Sequence, residues 1–321
     1  MTGSAIERVF DLAPVLFLGA FAVLGLLISA ILAAARGDDA RSAVKRMLEA
    51  LLLTFLGGLV SRTFVSLLLA ADRDSPESGL VVGWVFFLWP GIIDTIPYLL
   101  GKSLLTTPER LLWIATGLGA FVGMMDGIWR IHDWKGLGWL SFPLDLTWGL
   151  AGNTTGALLH LFNCVWAGHG SETRTGAHRY ASGFAIKPGF AFTQGSVMSS
   201  LARGPGDPLY SHERTHVWQN RIFGPFFPLS YLAWMVVWFL PGMLAGAIVR
   251  AGPFHGIEKW CYFNNPWEAW CYAVQGQPRA AFGRTPEEQR LIWPAIFVVL
   301  WSIPFFGALV MASVLILAAV W

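Results

Sequence analysis

Long apolar runs constrain this chain more than any other feature. Asp11 to Ala35, Met47 to Ala71, Gly79 to Leu100, Leu111 to Trp129 and Leu291 to Trp321 are each close to or beyond the roughly 20 residues a helix needs to cross a bilayer. The composition agrees. Of the 321 residues 55% are hydrophobic and only 13% charged, where a soluble domain carries about 25% charged residues. The seventeen tryptophans suit the aromatic belts at membrane interfaces. A net charge of +2 with no Lys/Arg run excludes a nucleic-acid partner. Cys164, Cys261 and Cys271 form no disulfide framework and no CxxC pattern, and read as small apolar core residues. The first ten residues lack the look of a signal peptide.

Charge asymmetry between loops predicts the orientation. Arg36–Arg46 and Lys102–Arg110 are basic and expected in the cytoplasm, and the acidic Asp72–Glu77 loop outside. Arg62, Asp94 and Asp126 fall in or near the apolar layer, so they are expected to face the interior, with Arg62 paired to one of the two acids. Asp145–Ala167 is apolar but contains Asn153, His160 and Asn163, and reads either as a fifth span or as a helix buried against the catalytic unit. Residues 168–203 turn polar and lose the helical period. Arg179–Ile186 and Phe190–Ser199, with Lys187-Pro188-Gly189 between them, predict a β-hairpin.

His212-Glu213-Arg214-Thr215-His216 is a complete HExxH motif. On a helix, positions i and i+4 share a face, so the two histidines can hold one zinc ion and Glu213 can take a proton from its water. Asp207-Pro208 reads as an N-cap and first helical residue, and Gly224-Pro225 as the stop. Gln219, one turn past His216, can orient it. Catalytic zinc has three protein ligands and an open position. The downstream candidates for the third are His255, Glu258, Glu268, Glu287 and Glu288. Glu268 stands out because Asn265-Pro266 predicts a capped helix that fixes it in the first turn.

HERTH followed by NPWEAW resembles the glutamate-type zincins (gluzincins), in a membrane setting similar to the CAAX-prenyl-protease and heat-shock membrane-protease group. The resemblance covers roughly residues 207–275. It implies His212, His216 and Glu268 as zinc ligands, Glu213 as general base, and a transition-state donor that Tyr210, Tyr262 or Tyr272 can supply. It also implies hydrolysis of a protein or peptide substrate, including membrane-bound ones, with the predicted hairpin available to pair with an extended substrate. The competing reading is a non-peptidase membrane protein: a zinc-dependent lipid-amide hydrolase, or a metal-binding structural or transport protein.

The fold expected is therefore mainly α: a polytopic helical protein in the lipid bilayer with a small zincin-like unit containing a β-hairpin. The expected divisions are residues 1–144 (four transmembrane helices), 145–288 (catalytic unit) and 289–321 (a last transmembrane helix, bent by Pro294 and Pro304). His216 and Glu268 must reach one ion, so Pro225–Arg250 is expected not to cross but to break at Pro241-Gly242 and return. That places the site near a membrane surface, on the cytoplasmic side because residues 168–224 carry more Lys/Arg than acid.

Overall fold

The computed structural model describes residues 5–71 and 77–320, with side chains for 16–71 and 77–311. Two compact units divide the chain, Met1–Ser200 and Leu201–Trp321.

In the first unit, α1 (Ala5–Arg36), α2 (Ala40–Ala71) and α5 (Pro108–Trp129) are long and apolar enough to cross a membrane. Helices α2 and α5 lie antiparallel along a seam of small residues. Gly57 and Gly58 on one and Gly119, Gly123 and Gly127 on the other leave no room for a Cβ against the facing backbone. Close backbone approach of this kind is what associates helices in lipid, where no hydrophobic force acts between them.

The expected third span is instead two short arms. Helix α3 (Ser78–Val82) continues as a π-helical turn, Gly83–Phe87, and α4 (Trp89–Leu99) returns along it. The reversal falls at Leu88, with φ of 66°. Pro90, lacking an N–H, ends the first arm and opens the second, and Gly83 meets Gly91 where the arms cross. Gly79 packs on the Thr106 carbonyl, so the Lys102–Arg110 loop lies at the same end as the start of α3. The expected alternation of three loops is thus corrected, though residues 72–76 of the acidic loop lie outside the described residues. The basic Arg36–Arg46 turn occupies the opposite end, where Arg46 bonds the Ile128 carbonyl at 3.1 Å and Asp38 at 3.0 Å.

The expected Arg62–Asp pair does not form either. Arg62 donates to Thr116 Oγ1 at 3.4 Å. Asp94 instead gathers Ser103 Oγ, Thr106 Oγ1 and the backbone N–H groups of Leu104, Leu105 and Thr106, at 2.7–3.0 Å. Free loop donors at the end of the hairpin satisfy this carboxylate better than a distant guanidinium. Asp126 Oδ2 meets His132 Nε2 at 2.9 Å, and His132 Nδ1 meets Ser141 Oγ at 2.9 Å. All three are buried, and the contacts tie the end of α5 to the segment that follows it.

Asp145–Ala167 forms no helix of spanning length, and its helix packs under a small sheet within the first unit. Helix α6 (Gly138–Leu146) reaches the middle of α2, where Ser61 Oγ donates to the Leu146 carbonyl at 2.9 Å. Helix α7 (Leu150–Asn163) then carries a small sheet. Strands β1 (His178–Arg179), β2 (Phe192–Gln194) and β3 (Val197–Ser199) lie in the order β1-β3-β2, with β1 parallel and β2 antiparallel to β3. The hairpin therefore turns at Gly195, φ 55°, and Lys187-Pro188-Gly189 is part of a loop. Asn153 and Asn163 explain the polar residues in the apolar run. Asn153 Oδ1 accepts from Ser196 N at 2.9 Å, and Asn163 donates to Ser199 Oγ at 2.7 Å.

Three histidines join α7 to the sheet. His160 Nδ1 meets the Tyr180 hydroxyl at 2.8 Å, His169 Nδ1 meets His178 Nε2 at 3.1 Å, and the rings of His169 and His178 stack on Trp129. Burial holds the imidazoles of His160 and His178 well below the usual histidine range, and neighbouring histidines add to the effect. An unfolded histidine titrates near ~6.5. Below that pH the unfolded chain binds more protons than the folded one, so stability is full above ~6.5 and falls as pH drops, by roughly 1.4 kcal/mol per pH unit per histidine. Hydrogen exchange of residues 178–199, corrected for intrinsic rate, is expected to speed up between pH 7 and 5. Unchanged protection over that interval would show that these histidines do not hold the sheet in place.

The second unit holds α8 (Pro208–Phe223), α9 (Phe226–Ile248), α10 (Pro253–Ile257) running into a π-helical stretch (Glu258–Phe263), α11 (Pro266–Gln275), α12 (Pro286–Leu291) and α13 (Ala295–Val320). Helix α9 runs unbroken through Pro241 and is long and apolar enough to cross a membrane, as is the stretch Pro286–Met311. The expected break at Pro241-Gly242 is therefore wrong. The chain reverses instead at Arg250–Gly252, and α10 with its π-helical extension packs back along α9. Gly242 and Gly246 serve this return by letting the backbone of Gly256 touch α9, and Trp234 Nε1 donates to the Trp260 carbonyl at 3.1 Å. Pro294 separates α12 from α13, and Pro304 sits inside α13.

Together the five long apolar helices and the small sheet make this a mainly α-helical, multi-pass membrane protein.

Candidate metal centre

Helix α8 begins and ends as its sequence predicts. The Asp207 carboxylate accepts from Leu209 N at 2.8 Å, Pro208 takes the first helical position, and Gly224, φ 54°, ends it. His212 and His216 lie on one face with ring centroids 5.1 Å apart, and both are buried. Helix α11 is capped as expected, with Asn265 Oδ1 accepting from Trp267 N at 3.1 Å, so Glu268 stands in the first turn. The return of the chain along α9 is what brings α11 against α8.

Glu268 then meets both histidines. His212 Nε2 lies 3.2 Å from Oε2, and His216 Nε2 lies 3.3 Å from Oε1. The opposite ring nitrogens face amide oxygens: His212 Nδ1 to Gln275 Oε1 at 3.0 Å, and His216 Nδ1 to Gln219 Oε1 at 2.9 Å. Gln219 Nε2 donates to the Trp267 carbonyl at 3.1 Å, which fixes its oxygen toward His216. An amide oxygen only accepts, so each Nδ1 carries a proton, and a ring that gives up its Nε2 proton would present that lone pair to an ion. The Tyr231 hydroxyl donates to Glu268 Oε1 at 2.8 Å. Glu268 Oε2 is buried and receives no well-directed hydrogen bond.

Cys271 follows Glu268 by one turn. Its sulfur lies 3.5 Å from His216 Nδ1, and ligating atoms of His212, His216 and Cys271 all fall within 4.8 Å of one another. These three residues can hold a metal ion, and all are buried. Nitrogen, sulfur and carboxylate oxygen are the donors zinc takes, so the residues present fit that ion. Burial pushes the Cys271 thiol up, partly offset by His216. Burial would raise the Glu268 carboxyl, but the positive charge that His216 carries when protonated and the closeness of both rings outweigh it and hold the group well below the usual carboxylate range.

The other sequence candidates separate clearly. Glu213 is 4% exposed, on the same helix as the two histidines. His255 Nδ1 pairs with Glu288 Oε1 at 3.1 Å and Glu258 with Lys259 at 3.1 Å, so these form a different cluster that ties α10 to α12. Tyr272 packs its ring edge-on to His212 at 4.6 Å, with its hydroxyl 3.5 Å from that of Tyr262. Tyr210 is buried on α8. Sequence reasoning missed Tyr231 and Gln275 and placed Cys271 in the core. The signal was present on α11, where Glu268, Cys271, Tyr272 and Gln275 follow i, i+3, i+4, i+7 and share one face.

Comparison with protein-family models, with curated proteins and with solved structures finds no match to this chain.

Proposed function

We propose that this protein is a membrane-embedded zinc metallopeptidase, with His212, His216 and Glu268 as ligands. The observation that carries the reading is the meeting of both Nε2 atoms at one carboxylate from a separate helix, with both Nδ1 atoms held by glutamine. Cys271 sits on the Nδ1 side of His216, already taken by Gln219, so Glu268 is the better third ligand. Zinc held there would polarise a scissile carbonyl and lower the pKa of a water toward ~7. Glu213, buried on the same helix as the two histidines, would be the general base for that water and the group that returns the proton to the leaving amine. Gln219 and Gln275 keep each Nδ1–H in place, and Tyr231 donates to Oε1 of Glu268, leaving Oε2 as the oxygen that would be free for an ion.

We place the site on the cytoplasmic side. Residues 168–224, which lead into and contain α8, carry more Lys/Arg than acid, which favours that side.

The test is cleavage of an unstructured protein by protein purified in lipid nanodiscs. Activity should vanish with a chelator and return with about one equivalent of zinc. Zinc binding with no cleavage of protein or peptide, but release of a fatty acid from a lipid amide, would favour the lipid-amide hydrolase instead.

A further inference from the structure

A second feature of this unit is independent of the metal. A cavity of about 600 Å³ lies between α11 and α13. One wall is Val298, Val299, Ser302, Ile303 and Phe306, spaced i, i+1, i+4, i+5, i+8 over two turns of α13, or about 12 Å. Trp270 and Tyr272 form part of the other. Val299 and Ile303 are exposed on a helix that a membrane would surround with lipid, so the cavity opens to the hydrocarbon layer.

Arg279 lines the same cavity, toward the beginning of α13. Its Nη1 donates to the Phe263 carbonyl at 2.9 Å and its Nη2 to the Trp293 carbonyl at 3.3 Å. Two of five guanidinium donors are thereby used, and three remain. No carboxylate lies within ion-pair distance of Arg279 among the described residues, although the group is only part-exposed and burial pulls its pKa down. A half-buried cation at one end of an apolar slot, without a counter-ion, matches an anion that carries its own apolar chain.

We propose that this cavity binds a single-chain anionic amphiphile, with its carboxylate or phosphate headgroup on Arg279 and its hydrocarbon chain along α13 toward Phe306. The fork of the guanidinium suits either oxyanion in a two-bond arrangement. The same Tyr272 that walls the cavity packs on His212, so the bound chain lies one aromatic ring from the metal centre.

The experiment uses the full chain in nanodiscs of neutral phosphatidylcholine, avoiding detergents that would compete. A diazirine-bearing fatty acid is photo-crosslinked and the labelled peptides are mapped by mass spectrometry, beside the matching neutral alcohol. Expected is labelling concentrated in residues 269–279 and 295–306 by the acid, at least tenfold above the alcohol. Competition by dodecyl phosphate as well as by dodecanoate would show that the oxyanion is what is read; competition by dodecanoate alone would restrict the site to carboxylates. Arg279→Gln should remove the preference for the acid, Arg279→Lys should retain part of it, and Ser302→Trp, which fills the slot from a lipid-facing helix, should remove labelling by both probes. Equal labelling by acid and alcohol, or labels spread over all apolar helices, means bulk lipid contact only and overturns the proposal. None of these readouts depends on zinc or hydrolysis, so they stand or fall apart from the peptidase reading.

Discussion

Glu213→Gln is expected to lower hydrolysis by about 10²- to 10⁴-fold while the protein keeps its metal. Glutamine has the shape of glutamate but cannot accept the proton. Glu213 is 4% exposed, so a change of shape there would disturb packing, whereas this substitution does not. The two readouts are metal content by mass spectrometry and cleavage of a quenched peptide. A variant within threefold of the parent rate would remove Glu213 from the chemistry, and a variant that loses its metal would make it structural.

Glu268→Ala and Cys271→Ala separate the two ligand sets that the geometry allows. His212 and His216 belong to both, so either His→Ala should abolish binding. With Glu268 as third ligand, Glu268→Ala loses zinc and Cys271→Ala keeps about one ion per chain. With Cys271 as ligand, the outcomes exchange. The expectation of the first result rests on direction. The Nε2 atoms turn toward Glu268, and the sulfur approaches the ring of His216 from the nitrogen that Gln219 occupies. Removing an outer partner is milder. Gln219→Ala or Gln275→Ala should weaken metal affinity about 10- to 100-fold, because the rings lose the bond that sets their tautomer. Zinc titration against a competing chelator measures this directly.

The topological corrections share one cause. Hydropathy reports that a segment avoids water, but not whether it does so in lipid or against protein. Gly79–Leu100 and Asp145–Ala167 are as apolar as spans, yet Leu88 reverses the first and α7 is buried under a sheet. Pro241 reads as a break, yet α9 continues through it. The residue that does reverse the chain is Arg250, with φ of 61° and Gly252 two positions on, a weaker signal in an apolar background.

What the sequence determined by itself is local. Capping residues set where α8 and α11 begin, because Asp207 and Asn265 satisfy backbone N–H groups within their own first turns. The spacing of His212 and His216 put both on one face, and apolar length marked α1, α2, α5 and the last apolar stretch for the membrane. Tertiary structure alone decided which distant groups meet. Glu268 reaches the histidines because α10 and its π-helical extension return along α9, which depends on backbone contact at Gly242, Gly246 and Gly256. Gln275 comes to the site by the same path and Tyr231 from α9 itself, and Asp94 took the donors of the Ser103–Thr106 loop once the hairpin closed. Contacts between residues far apart in the chain depend on how helices pack, and that packing is set by many small close approaches that no single stretch of sequence encodes.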